Sequence, residues 1–282
     1  MTDYKPIKSL LKGLKLLETF TSEDYMLGFQ EIVLKTKMPK ATVFRLLHTL
    51  TSEDYLHFDS KLKKYFMSPR VMSLGSVFLS GMKLREVALP YLEELSRVCG
   101  QNVNLTILDG KEILYVEHIS KRDLLKINIH VGSRVNVYQT ACGRAILAHL
   151  PPDRLRRVQE ELLVDPDAVK TIGVKGEKLM IRLEEVRRQG YALNDEEFTK
   201  GVRSIAAPVF DRQGCVEGAV NMPVFSHQVS VSKLIRTYLP MLLDATEKIS
   251  AARGFMKRGR ISADRETETR ERRSVRAAIS KP

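Results

Sequence analysis

The sequence has few cysteines and lacks the short motifs of the common catalytic and cofactor sites. Its three cysteines, Cys99, Cys142 and Cys215, lie far apart and form no CxxC pair, which argues against a zinc ribbon and a thioredoxin-like redox site. The six histidines show neither HxxxH nor HExxH spacing, and the dinucleotide, P-loop and GxSxG motifs are absent. We therefore expect no metal site, no cofactor and no enzymatic activity.

Long hydrophobic runs are also absent. No segment approaches the roughly 18–20 consecutive apolar residues that span a bilayer. Residues 1–20 place lysines between their leucines and so lack the uninterrupted apolar core of a signal peptide. We expect a cytoplasmic protein with no membrane partner. At 282 residues and 43% hydrophobic content, the chain is long enough for two domains and too apolar for wholesale disorder.

The formal net charge is +12, and it is unevenly distributed. Residues 1–68 hold 11 basic and 8 acidic side chains, whereas residues 253–282 hold 10 basic and 4 acidic ones. Half of the excess therefore belongs to the end of the chain, where residues 254–282 lack apolar periodicity and are predicted to form a basic disordered tail. A basic balance suits a polyanion such as nucleic acid, although a solvated basic surface is an equally good explanation of charge alone.

The segment KMPKATVFRLLHTL predicts the second helix of a helix-turn-helix. Pro39 fits the first turn of this helix, and its apolar positions recur at i, i+3, i+4 and i+7. These core positions are Val43, Leu46, Leu47 and Leu50. The residues predicted to point away from the core are Lys40, Thr42, Arg45 and Thr49, with Phe44 and His48 on the margin. For Phe44, a place in the core and a contact with a base are both open.

A β-hairpin with a basic tip is predicted directly after this helix. Tyr55–Phe58 and Tyr65–Met67 are aromatic-rich strands around the polar turn DSKLKK, with Lys61, Lys63 and Lys64 at or near the tip. Helix and hairpin together predict a winged helix-turn-helix over residues 1–68, with double-stranded DNA as partner. A three-helix module that binds protein is the alternative. The predicted DNA-binding residues are Lys40, Thr42, Phe44, Arg45, His48, Thr49, Lys61, Lys63 and Lys64.

The remainder of the chain predicts a linker helix over 69–82 and a second domain over 83–253. In that domain, alternating segments such as VNLTILD and EILYVEHI predict strands, as do KINIHVG, YALND, RSIAAPVFD and CVEGAVNMPV. Helices are predicted around TACGRAILAHL, DRLRRVQEELL and EKLMIRLEEVRRQG, and a closing helix is interrupted near Pro240. Within LREVALPYLEELSRVCG, Pro90 predicts a kink or a helix restart. Strand pairs alternating with helices indicate an α+β domain of the sensor type.

Four segments, in this order and spacing, resemble the IclR-type bacterial transcriptional regulators. They are MPKATVFRLLHTL, NLTILDGKEILYVEHI, HVGSRVNVYQTACGRAILAHL and GYALNDEEFTKGVRSIAAPVFDRQGCVEGAVNM, within a resemblance that covers residues 7–253. It implies an N-terminal winged helix-turn-helix, a linker helix and a C-terminal GAF-like domain that binds a small organic acid. It also implies a homodimer or tetramer on an inverted-repeat operator. The stretch KINIHVGSRVNVYQTACGRAILAHLP is similar to the branch that controls aromatic-acid catabolism, which implies an aromatic effector and a catabolic operon.

The same resemblance implies an effector pocket, and two of its positions depart from the common pattern. Many members carry Asp where this chain has Asn194, and Cys where it has Ser204. The small residues at 140–143 leave room for backbone N–H groups to approach a carboxylate at a helix start. Arg134 is a candidate charge partner, unless it pairs with an acidic neighbour such as Asp195 or Glu196. The implied pocket residues are Arg134, Tyr138, Thr140, Ala141, Cys142, Asn194, Ser204 and Asn221.

Two other classes of function are alternatives to a ligand-responsive regulator. One is an enzyme on a GAF-like scaffold that uses Cys142 or the acidic cluster Asp195–Glu197, although no His or Asn partner for the cysteine can be nominated. The other is a signalling adaptor that does not bind DNA, which the lysines of the predicted wing argue against. His118 and His130 lie in apolar strands and are predicted to be core histidines rather than ligands.

Overall fold

The computed structural model describes residues 5–121, 129–173 and 175–256, and the chain divides into two compact units between Met82 and Lys83. Most of the predicted tail, from residue 257 onward, and residues 126–128 of the predicted strand KINIHVG lie outside the described residues. The two units are described separately.

The described part of the first unit contains four helices and a small antiparallel sheet. Its helices are α1 (Lys8–Leu17), α2 (Phe29–Thr36), α3 (Lys40–Ser52) and α4 (Pro69–Ser80). Its strands, in the sheet order β1-β3-β2, are β1 (Met26–Gly28), β2 (Leu56–Asp59) and β3 (Lys64–Met67). The core is formed by Leu16, Leu27, Ile32, Val43, Leu47 and Leu56.

The turn between α2 and α3 gives the two helices their helix-turn-helix connection. Lys37 ends α2 in the left-handed conformation, with φ 54°, and Pro39 is the N-cap of α3, one position before the predicted first turn. Strand β1 was not predicted, because its three residues follow a polar stretch. Met26 pairs with Phe66 of β3, so β1 covers the edge of the hairpin that the sequence left open.

Helix α4 has no buried residue, although its sequence is largely apolar. Met72 is 79% exposed and Val77 is 74% exposed. Ser68 caps the helix by accepting a hydrogen bond from the backbone N–H of Arg70 at 3.1 Å. An apolar helix of this kind needs a partner surface to remove it from water.

The second unit is built on a six-stranded antiparallel sheet in the order β6-β5-β4-β9-β8-β7. The strands are β4 (Val103–Asp109), β5 (Glu112–Ile119), β6 (Arg134–Asn136), β7 (Ala192–Asp195), β8 (Val202–Phe210) and β9 (Val216–Phe225). The helices are α5 (Lys83–Cys99), α6 (Ala141–Leu147), α7 (Pro152–Leu163), α8 (Pro166–Ile172), α9 (Glu177–Gln189), α10 (Val231–Lys233) and α11 (Leu239–Ala252). A π-helical turn, Leu234–Tyr238, joins the last two, just before Pro240. This mixture of helices and antiparallel sheet confirms the α+β class.

Several elements of the second unit differ from the sequence prediction. Ile129–Gly132, the described part of the predicted strand KINIHVG, is not strand, because Ser133 closes a turn onto His130 and Gly132 has φ 94°. His130 is exposed there, so the prediction of a core histidine is wrong for it. Helix α8 was not predicted; Asp165 caps it by accepting the N–H groups of Asp167 and Ala168. Finally, α5 continues through Pro90 as one helix, which excludes the predicted restart and leaves the kink as a prediction.

Candidate functional site

The exposed side of α3 carries most of the residues predicted to contact DNA. Lys40, Arg45, His48 and Thr49 are exposed, and Phe44 is 60% exposed. Phe44 is therefore on the surface, which excludes a place in the core and leaves the contact with a base as a prediction.

Thr42 is less exposed than these residues, because its side chain is half-buried. Thr42, Arg45 and Thr49 border a groove of about 780 Å³ between α1 and α3, together with apolar side chains that include Leu10 and Leu14. One flank of α3 thus adjoins an apolar surface, while Phe44 and His48, predicted at the margin of the core stripe, face solvent.

The turn of the β2–β3 hairpin presents two lysines to solvent. Asp59 shapes this turn by accepting the backbone N–H groups of Lys61 at 2.8 Å and of Leu62 at 2.9 Å. Lys61 and Lys63 are exposed, and Lys63 has φ 55°. Lys64 is different: its Nζ lies 3.8 Å from Glu31 Oε2 and donates to the carbonyl of Met26 at 3.5 Å. Lys64 therefore ties the hairpin to α2 and β1.

Within the part of the chain that the structure describes, the exposed cations of α3 and of the hairpin turn have no ion-pair partner. Among the described residues, no carboxylate pairs with Lys40, Arg45, Lys61 or Lys63. A cation without an internal partner keeps its full charge available for a phosphate, and phosphate contacts position a protein on a duplex. The exposed side of α3 and the hairpin turn therefore form the candidate nucleic-acid interface of this unit.

The second unit contains a small cavity on one face of its sheet. Its volume is about 30 Å³, which is room for one or two water molecules. Of the implied pocket residues, the structure brings together Thr140, Asn194, Ser204 and Asn221. The other lining residues, which the sequence did not single out, are Tyr115, Ile129, Phe198, Thr199, Val202 and Pro223. An organic acid enters only if part of this lining moves.

Asn194 holds the loop that closes the cavity. Its Nδ2 donates to the carbonyl of Gln139 at 2.8 Å, and its Oδ1 accepts the backbone N–H groups of Glu197 at 3.3 Å and Phe198 at 3.4 Å. The bond to Gln139 requires a donor, which an ionised Asp at this position does not have. The departure from the common Asp therefore adds a link between this loop and the turn before α6.

The acidic cluster that follows is engaged in ion pairs and is not free for acid–base chemistry. Glu197 Oε2 lies 2.7 Å from Arg144 and 2.7 Å from Arg182. Asp195 pairs with Arg203, and Glu196 accepts the backbone N–H of Gly201 at 2.8 Å, which lowers the pKa of its carboxyl. Each carboxylate thus has a structural partner.

Arg134 does not line the cavity. Its guanidinium pairs with Asp109 and lies 3.4 Å from Glu112, on an exposed part of β6. The hydrogen bond to Asp109 is the main cause of its raised pKa. The predicted role of Arg134 as partner of a bound carboxylate is therefore not supported, and its acidic neighbours are not the predicted Asp195 or Glu196. The pairing of Leu114 with Arg134 brings it to this position at the edge of the sheet.

Three more of the implied residues pack in the core behind the cavity. Tyr138, Ala141 and Cys142 belong to the main apolar cluster. Complete burial raises the pKa of the Cys142 thiol to about 12, so it stays protonated and is no nucleophile at neutral pH. Thr140 Oγ1 already accepts the N–H of Gly143 at 2.9 Å.

The small residues at the start of α6 serve close packing. A Cβ at Gly143 would lie 1.7 Å from the carbonyl oxygen of Val137, so only glycine fits there. The N–H of Gly143 is already bonded to Thr140, and neither Ala141 nor Cys142 lines the cavity. The prediction that backbone N–H groups near 140–143 hold a carboxylate is not supported by this arrangement.

Within residues 5–121, 129–173 and 175–256, no group of His, Cys, Asp and Glu side chains is arranged to hold a metal ion. In the same part of the chain, no helix has the length and apolar character needed to cross a membrane.

Sequence comparison finds close relatives over most of the chain. The Pca regulon regulatory protein of Pseudomonas putida is 32% identical over 242 residues, which is 86% of this chain and 82% of that protein. The HTH-type transcriptional regulator KdgR of Escherichia coli K12 is 31% identical over 249 residues, covering 88% of this chain and 94% of the relative.

Solved structures show the same architecture. A transcriptional regulator of Rhodococcus sp. RHA1 matches with a TM-score of 0.72 at 29% identity, over 88% of this chain and 98% of that one. An IclR homologue of Microbacterium hydrocarbonoxydans, solved with 4-hydroxybenzoate, matches with a TM-score of 0.70 at 23% identity, over 87% of this chain and 99% of that one.

Two family models match the chain in the order of its two units. The IclR helix-turn-helix domain matches residues 9–60, and the bacterial transcriptional regulator IclR C-terminal domain matches residues 77–251. The chain therefore belongs to the IclR family of bacterial transcriptional regulators.

Proposed function

We propose that this regulator binds an inverted-repeat operator through α3 and the β2–β3 hairpin, and that a small organic acid in the cavity of the second unit changes this binding. The observation that carries the proposal is the set of cations on α3 and on the hairpin turn that have no acidic partner among the described residues. In this proposal the protein acts in the cytoplasm, with chromosomal DNA as its target. Its family and relatives are transcriptional regulators, so it is not an enzyme.

In this proposal, Arg45 reads a base and the hairpin lysines hold the backbone. The guanidinium of an exposed arginine on a recognition helix can bind guanine O6 and N7 together. Lys61 and Lys63 contact phosphates, and Lys40, His48 and Thr49 lie on the exposed side of the same helix. Phe44 offers an apolar contact for a thymine methyl group.

The protein acts as a homodimer or a tetramer in this proposal. Leu10 and Leu11 of α1 are 58% and 51% exposed, and α4 exposes Met72 and Val77. Such apolar surface favours burial against a second copy. A dimer also supplies the two half-sites that give a single winged helix useful specificity.

The effector is a small carboxylate, most specifically an aromatic acid of a catabolic pathway. The resemblance of KINIHVGSRVNVYQTACGRAILAHLP to the aromatic-acid branch and the likeness to a Pca regulon regulatory protein support this. Thr140, Ser204 and Asn221 supply the polar groups of the lining in place of Arg134. The loop with Phe198 and Thr199 moves when the acid enters.

The basic residues beyond Met256 add affinity without sequence preference in this proposal, since their net positive charge attracts any duplex. A chain that ends at Met256 should then bind every DNA sequence somewhat more weakly than the full chain, with a flatter salt dependence. An unchanged salt dependence would show that the tail makes no contact with DNA.

Selection from a random double-stranded pool, followed by fluorescence anisotropy at several salt concentrations, tests the proposal. We expect an inverted repeat and a steep loss of affinity with salt. DNA binding whose affinity does not fall as the salt concentration rises would favour the adaptor alternative. Calorimetry with benzoate, 4-hydroxybenzoate and short aliphatic acids tests the effector; binding of aliphatic acids alone would contradict the aromatic assignment.

A further inference from the structure

A row of three polar side chains crosses the sheet, and one of the three lines the cavity. In the strand register, Asn104 of β4 is paired with His118 of β5 on one side and with Asn221 of β9 on the other. Residues paired in this way point to the same face of a sheet. Asn221 lines the cavity, whereas Asn104 and His118 are not among its lining residues.

The three side chains are joined by hydrogen bonds that run in one direction. His118 Nδ1 donates to Asn104 Oδ1 at 2.5 Å, and Asn104 Nδ2 donates to Asn221 Oδ1 at 2.8 Å. The oxygen of Asn221 is thereby occupied by a donor. The amide nitrogen is then the remaining hydrogen-bonding group of this side chain, and it can only donate.

The direction of the row is set at its histidine end. A neutral imidazole has one N–H, and here Nδ1 carries it. Burial of His118 and the neighbouring His130 lower the pKa of His118, which favours the neutral ring. A proton on Nε2 instead would turn Nδ1 into an acceptor. Both amides would then reverse, and the oxygen of Asn221 would face the cavity.

We propose that His118 and Asn104 are positioning residues that fix Asn221 as a hydrogen-bond donor at the cavity, so that the site selects ligands with an acceptor oxygen, such as a carboxylate. The hydroxyl groups of Thr140 and Ser204 both donate and accept, so they do not make this distinction. Asn221 makes this distinction, because its amide is held in one orientation. This inference rests on the proposed function, in which an organic acid enters the cavity.

The first test measures which ring nitrogen of His118 is protonated, and it needs no ligand. The full-length protein is labelled with ¹⁵N-histidine, and the two ring nitrogens of His118 are assigned by loss of their signals in His118→Asn. We expect a protonated Nδ1 and an unprotonated Nε2 at neutral pH. A protonated Nε2 with an unprotonated Nδ1 would overturn the proposal, because the row would then run the other way.

The second test measures acid binding by calorimetry on variants of the full chain. The probe is whichever of benzoate, 4-hydroxybenzoate and acetate binds the wild type most tightly. We expect His118→Leu to weaken binding at least tenfold. His118→Asn, whose amide N–H replaces the Nδ1 donor, should stay within threefold of the wild type. Asn221→Asp should weaken binding at least a hundredfold, because it aims a negative oxygen at the carboxylate.

Arg134→Gln is the matched control, since this polar residue of the same sheet lies outside the cavity; it should bind as the wild type does. Equal affinity of wild type, His118→Leu and Asn221→Asp would overturn the inference while leaving the effector proposal in place. If none of the three acids binds the wild type, the effector proposal fails for them, and the tautomer of His118 still decides the direction of the row.

Discussion

The candidate DNA-binding cations of the first unit and the arginines around the sheet and α6 of the second unit differ in their pairing. In the first unit, Lys40, Arg45, Lys61 and Lys63 are exposed without an acidic partner among the described residues. In the second unit, the arginines at the sheet and around α6 are held by carboxylates; these include Arg85, Arg134, Arg144, Arg182, Arg203 and Arg253. Net charge alone did not separate these two roles, whereas pairing does.

The physical reason for the difference is solvation. An exposed lysine keeps its hydration and has little need of a partner, so it remains available to a phosphate. Arg144 has only 3% of its side chain exposed, and burial lowers its pKa. Its charge is tolerated because Glu197 pairs with it and the carbonyl of Leu193 accepts a hydrogen bond at 2.7 Å.

The largest expected effect comes from breaking a buried pair. Glu197→Gln leaves Arg144 with a neutral partner and should lower the free energy of unfolding by about 2–3 kcal/mol, less than for a fully buried pair because Glu197 is 38% exposed. Urea denaturation of the full chain measures this. Glu185→Gln, at an exposed position of α9, is the control and should change stability by under about 0.5 kcal/mol. Equal stability of both variants would mean that the pair is dispensable.

Removing an unpaired cation should instead affect DNA binding and spare the fold. Arg45→Ala should weaken binding to the selected operator by about 1–3 kcal/mol and binding to random DNA by less. Anisotropy titrations on both duplexes measure the difference. Arg134→Ala, at a paired arginine, should leave both affinities unchanged. Equal losses on the two duplexes would assign Arg45 to a phosphate rather than to a base.

Removing the hairpin lysines should lower DNA affinity less, and by similar factors for every DNA sequence. The double variant Lys61→Ala, Lys63→Ala removes two proposed phosphate contacts, so the salt slope of log K should flatten by about 2. Affinity for operator and random DNA should fall by similar factors. Lys170→Ala, in a pair with Asp167 in the second unit, is the control. A salt slope equal to that of the wild type would remove the hairpin from the interface.

The smallest expected effect concerns the half-buried His149. Burial lowers the pKa of His149, which bonds the carbonyl of Ala145 and packs against Phe210. Since the folded state resists protonation, this contribution is complete above the ordinary pKa of about 6.5 and is lost as pH falls below it. His149→Gln should therefore flatten the decline of unfolding free energy between pH 7.5 and 5.5. The exposed His227→Gln should leave it unchanged; a similar flattening there would mean that His149 is not the cause.

Elements with local sequence signals were predicted, whereas elements that depend on distant pairing were not. Helix α3 and its hairpin were predicted because their signals are local: the stripe from Val43 to Leu50, Pro39 at the helix start, and a polar turn between aromatic strands. Strand β1 was not predicted, because its three residues become a strand only by pairing with β3. The family segments located Thr140, Asn194, Ser204 and Asn221, since these positions could be matched residue by residue.

The sequence by itself determined the order of the units, the exposed basic helix and the family. Tertiary structure decided which side chains share the cavity: Tyr115 and Pro223 are more than a hundred positions apart and meet because β5, β4 and β9 are neighbours in the sheet. It also decided the partners of Arg134, through the register of β6 on β5. Helix periodicity and turns are written in adjacent residues, whereas strand order and register come from burying one face of a sheet against distant segments of the chain.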